Sequence, residues 1–187
     1  MLSKLFSGLL SVACAIALAG CAASPKPPSA NGGLFRQKNE GYSILYKLMG
    51  DESQVGKIFI IKHADDSVGN LVKGIGDACA TAKKQMDEFP KSDNRIEYDV
   101  SDLPYIEVKS RELAASETTK ALLGSSGKEF ELRLIFSQAQ AMNYAHQLCD
   151  ALAADDDNPD RKSFLTDLSQ RCSGYYSSLL SLLAVKP

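Results

Sequence analysis

The sequence predicts an all-α protein, a four- to five-helix up-and-down bundle that follows an apolar N-terminal segment and a flexible tether. Three observations predict it. Apolar residues recur at three- and four-residue steps over most of the second half of the chain. Helix start and stop residues punctuate those stripes. Ala, Leu and Ser dominate, Trp is absent, and Pro is sparse after residue 28, as suits helices more than sheets.

The chain opens Met1-Leu2-Ser3-Lys4, runs apolar over residues 5–18, and reaches Leu18-Ala19-Gly20-Cys21. At about 14 residues the run is short of the ~20 a membrane span needs. A cleaved signal peptide is the expected reading. One cation, an apolar run, two small residues and a cysteine, in that order, resemble a bacterial lipoprotein signal with its lipobox. The resemblance covers the first 21 residues. It implies cleavage before Cys21 and acylation of that sulfur, with three acyl chains holding the protein to a membrane. Ala22 is not an acidic inner-membrane retention signal, which points to the outer membrane, facing the periplasm. The formal charge of the chain is −2, and losing Lys4 makes it one unit more negative. That mild acidity disfavours a nucleic-acid role.

Residues 22–33 carry Pro25, Pro27 and Pro28 among Ser, Asn and Gly, a segment that cannot pack a core and suits a spacer. The expected division is residues 1–20 signal peptide, 21–38 lipidated N-terminus and tether, and 39–187 helical bundle.

The first helix is expected over residues 42–49, capped by Gly50. Asp51, with Gln54 three residues on, reads as the N-cap of a second. Its stripe Val55, Ile58, Ile61, Val68, Val72, Ile75, Cys79, Ala82 and Met86 ends at Phe89-Pro90. Unbroken, it would hold about 38 residues and span ~57 Å. A break near Asp65 is the alternative, because capping residues and glycines gather there. Ile96, Tyr98 and Val100 alternate with Glu97 and Asp99, suggesting a long extended connection over residues 91–103. Pro104 opens a third helix with Ile106, Leu113, Ala114, Ala121 and Leu122 as its core face, ending near Gly124. Ser126 and Glu129 form a capping box for a fourth, with core positions Leu134, Ile135, Met142, Ala145, Leu148, Cys149 and Leu152. Asn158-Pro159 starts the fifth, whose face is Phe164, Leu168, Cys172, Tyr175, Leu179 and Leu183.

Few residues suggest chemistry. Neither His63 nor His146 is preceded by the Glu that a Glu-x-x-His di-metal motif needs, so no metal or other cofactor is expected. No phosphate loop, His-Glu-x-x-His, Cys-x-x-Cys or Gly-x-Ser-x-Gly occurs. His146 and Cys149 are neighbours on one helix, which leaves an enzyme using that pair as an alternative. With Cys14 in the signal and Cys21 lipidated, Cys79, Cys149 and Cys172 remain. Regular alternating helices set Cys149 and Cys172 at different heights, so any intramolecular bridge should involve Cys79, and no bridge is the expected state. Asp65, Glu117, Glu131 and Gln138 fall on or beside apolar stripes, and Glu107 and Arg111 can pair four apart. These six are the candidates for a polar pocket between helices. Paired or end-of-bundle structural roles are the competing reading.

Leu103-Pro104, Glu107, Arg111, residues 119–123 and 127–131, Gln138, Ala141 and Tyr144 together resemble periplasmic ferritin-like helical domains of unknown function, over roughly residues 40–185. The resemblance implies a ferritin-like bundle and supplies no function. No residue here completes that family's metal motif. The expectation is therefore a non-catalytic, membrane-anchored lipoprotein with a binding or envelope-structural role. A ferritin-like metal or small-ligand binder is the alternative.

Overall fold

The computed structural model describes residues 31–100 and 103–185, and it is an all-α bundle with no strand among them. Cys21, the expected signal peptide and residues 22–30 lie outside the described residues. None of the described helices is long and apolar enough to cross a membrane. The helices are α1 (Asn31–Glu52), α2 (Asp66–Met86), a one-turn α3 (Phe89–Ser92), α4 (Tyr105–Gly124), α5 (Gly127–Asp155) and α6 (Pro159–Val185).

Helix α1 is much longer than residues 42–49. It begins at Asn31, so residues 31–38 are helical, and it runs through Gly50 and Asp51. Tyr42, Leu45, Met49 and Glu52 explain the extension: one buried stripe continues to the last residue. The true stop is a tight turn, where the Ser53 hydroxyl donates to Gly50 O at 2.6 Å and Gln54 N–H to Asp51 O at 3.0 Å. Asp51 is therefore not an N-cap.

The single 38-residue helix does not form, and the break falls near Asp65. Val55–Ile60 is a 3-10 segment, and α2 starts only after Asp65. Two distant partners hold the break. Glu131 of α5 accepts the Asp65 backbone N–H at 2.5 Å. Lys62 Nζ donates at 2.7 Å to both Leu123 O and Ser125 O, terminal carbonyls of α4. Ile61, read as core, is consequently 54% exposed.

The connection after α3 is extended and unpaired, with Ile96 buried and Glu97 and Asp99 outward, as the alternation implied. Ser43 pins it to α1 by donating to Glu97 O at 3.1 Å and accepting from Asp99 N–H at 3.0 Å. The five long helices alternate in direction. Tyr42 of α1 meets Asp156 beyond α5, Asp65 before α2 meets Glu131 early in α5, and Tyr175 of α6 meets Gly74 of α2.

Helix α4 presents a different face from the one expected. Ala115, Thr119 and Leu122 pack inward, whereas Ile106 and Leu113 stand 75% and 56% exposed. Apolar residues line both sides of this helix, so periodicity alone cannot choose between them. Ser126 does sit at the N-cap of α5, but the capping box is not made: Glu129 turns to Arg133, 2.8 Å away. Gly127 at φ 53° supplies the left-handed corner between α4 and α5. Asn158 caps α6 through its side chain, accepting Arg161 N–H at 2.9 Å.

Candidate functional site

A groove opens where α4 leans on the bundle. Ile44 and Leu48 of α1, Val100 and Leu103 of the connection, and Val108 and Ala115 of α4 line it, enclosing about 160 Å³. Its polar members come from α1, α4 and α5. Arg111 donates to Glu107 Oε1 at 2.7 Å and to the Tyr144 hydroxyl at 3.1 Å, with its guanidinium 5.5 Å from the Tyr144 ring centre. Partial burial alone would make Arg111 easier to deprotonate, but Tyr144 and Glu107 outweigh it and hold the charge more firmly. Lys47 pairs with Asp51 at 3.1 Å on the α1 wall. Glu112 also lines the groove and pairs with Lys109 at 3.2 Å, so each charged side chain on the lining has an opposite partner, and the floor is hydrocarbon.

The six expected pocket residues do not share one site. Glu107 and Arg111 meet at this groove. Glu131 is buried against the start of α2 and Asp65 is exposed there. Gln138 lies fully buried in the core, where its Nε2 donates to Glu52 Oε2 at 2.8 Å. Glu117 is exposed on α4. They separate because α4 is turned relative to the expected face and Glu131 lies two turns before Gln138 along α5.

Two important groups escaped the sequence reading. Glu52 is one, although the steps Tyr42, Leu45, Met49, Glu52 would have placed it on the buried face of α1. The other is a charged lock at the end of the bundle. Asp156, read only as part of an acidic turn, accepts from Arg161 Nε and Nη2, both at 2.9 Å, from Asn158 N–H at 2.7 Å and from the Tyr42 hydroxyl. Arg161 also reaches Asp93 at 3.2 Å.

The thiols of Cys79, Cys149 and Cys172 are free and buried. Burial, then the neighbouring Glu52, pushes the Cys172 thiol up to about 12, and burial also raises Cys79 and Cys149 well above the ordinary range. Such thiols carry almost no thiolate at neutral pH. His146 turns to Ser169 instead, with Nδ1 2.7 Å from the hydroxyl, and Ser169 donates to Asp150 at 2.5 Å. Asp150 lies 3.6 Å from that same ring nitrogen, so serine and carboxylate crowd one side of the imidazole. A catalytic triad needs them on opposite nitrogens. Among the described residues, no three His, Cys, Asp or Glu side chains are grouped to hold a metal ion. No protein family, curated protein or solved structure compared with the chain matches it.

Proposed function

We propose that the chain is a lipid-anchored protein of the bacterial envelope, held to the outer membrane through acylated Cys21. Its periplasmic bundle binds a small, neutral, apolar molecule in the α1–α4–α5 groove without chemical conversion. The observation that carries the anchor is the stretch Leu18-Ala19-Gly20-Cys21 closing a short apolar run behind Lys4. Multiple acyl chains give stable attachment where one would not. The groove supports the binding role: its walls are largely apolar, and its charged side chains are already paired as Arg111–Glu107, Lys47–Asp51 and Glu112–Lys109.

Two measurements test this. Labelling cells with a radioactive fatty acid should mark the wild-type chain in the membrane fraction, and Cys21→Ser should abolish the label. An unlabelled, freely soluble wild-type protein overturns the anchor. For the groove, the neutral dye N-phenylnaphthylamine should brighten on binding, and Ala115→Trp should weaken it about tenfold or more, a loss of ~1.4 kcal/mol. Equal binding by wild type and Ala115→Trp overturns the site.

A further inference from the structure

Glu52 ends α1 with its side chain enclosed in the core. Gln138 Nε2 donates to its Oε2 at 2.8 Å, whereas its Oε1 meets no hydrogen-bond partner. Gln138 Oε1 is equally bare and equally buried. Among the described residues, no lysine, arginine or histidine forms an ion pair with Glu52. An ionised carboxylate in this place would be a charge taken out of water with no counter-charge. Two buried acceptors would also lack donors, which native interiors rarely tolerate.

One proton removes all three difficulties. A protonated carboxyl has an O–H to give and keeps its acceptor capacity. We propose that Glu52 and Gln138 form a closed, neutral acid–amide pair, and that loss of its proton unlatches α1 from α5. In the pair, Glu52 Oε1–H donates to Gln138 Oε1 while Gln138 Nε2–H donates to Glu52 Oε2. Helices α1 and α5 pack directly on one another, so the pair joins two principal walls of the core.

The groups facing Glu52 favour the proton. From α1, the neighbouring Asp51 adds a like charge. From α2 and α6, Cys79 and Cys172 lie close enough to feel the Glu52 charge, and both are neutral thiols. Cys149 of α5 couples to those two thiols. Burial is the largest influence, and with Asp51 it outweighs the Gln138 hydrogen bond, raising Glu52 from 4.5 to about 8. The folded value thus exceeds the unfolded one. The latch is fully effective below about 4.5 and is lost as pH rises through about 8. Across that window the folding equilibrium constant should fall roughly tenfold per pH unit from this group alone.

Carbon-13 NMR of the Glu52 carboxyl in the full chain tests the proton directly. The expected result is a protonated carboxyl at neutral pH with a midpoint near 8. A midpoint in the ordinary carboxylate range overturns the proposal. The second test is labelling of the buried thiols with a maleimide as pH is raised. In the wild type, labelling should climb steeply as the latch opens, and Glu52→Gln, which cannot ionise, should suppress that climb. Identical pH profiles for the two proteins would overturn the unlatching. The carboxyl titration is read on the wild type and does not depend on the variant folding.

Discussion

Replacing Asp156 by alanine should unfasten the end of the bundle where α1, the α3–α4 connection and α6 meet. Asp156 is 3% exposed and Arg161 5%. The substitution removes both 2.9 Å contacts to Arg161, the cap on Asn158 N–H and the acceptor for Tyr42. Arg161 keeps the longer contact to Asp93, which Arg95 already engages at 2.8 Å, and its contact with the Tyr42 hydroxyl. Leaving a buried guanidinium without its main partner costs about 3–5 kcal/mol. Tyr42→Phe removes one hydrogen bond to a charged group and should cost about 1.5–3 kcal/mol. Urea unfolding of the full chain, followed by circular dichroism at constant m-value, measures both. The reasoning is refuted if Asp156→Ala costs under about 1 kcal/mol, the level of an exposed pair. It fails equally if Tyr42→Phe costs as much as Asp156→Ala. Acid adds a further check. Burial alone would raise the Asp156 carboxyl, but Arg161, Tyr42 and the Asn158 N–H more than offset it and hold it below its ordinary 3.8. A lowered folded value means stability that is present above about 3.8 and lost as pH falls through the folded value. Asp156→Ala should therefore lose less on acidification than the wild type.

Glu131→Ala should destabilise the fold by about 1–3 kcal/mol, because the Asp65 N–H at the head of α2 loses its charged acceptor, and thermal unfolding reads this. Leu113→Ser should change stability by less than about 0.5 kcal/mol, since Leu113 stands outward on α4, whereas Leu122→Ala should cost about 2 kcal/mol or more in the same assay. Cys79, Cys149 and Cys172 should resist thiol reagents in the folded protein at neutral pH and all react in denaturant, with mass spectrometry of the unreduced chain showing no bridge among them.

The helical class, the start of α6 at Asn158-Pro159, the corner at residues 124–127 and the core faces of α5 and α6 were legible in the sequence. Each rests on local information: an apolar period of three and four, the Asn158 side chain capping its own helix, or, at the corner, Gly127 in the left-handed region rather than a Ser126 cap. The places where that reading failed share a cause. Gly50 looked like a helix end, yet the burial of Met49 and Glu52 carries α1 past it. The long stripe from Val55 to Met86 looked continuous, yet Glu131 and Lys62 satisfy backbone groups across 66 and 61 residues of chain and favour a break. Helix α4 has apolar residues on two faces, and only the contact with α5 selects one.

The sites divide in the same way. Glu107 and Arg111, four apart, could be paired from sequence alone, but the groove they border needs α1, Val100, Leu103 and Tyr144 brought beside them. Gln138 stood out as a polar residue on a core stripe, whereas its partner Glu52 lies 86 residues away. Sequence by itself determined the helical class and where most of the chain is helical, because propensity, capping and apolar period act within a few residues. Tertiary structure alone decided which helix face is buried, which carboxylates meet a cation and which must hold a proton. Burial and counter-charge are properties of what arrives from elsewhere in the chain.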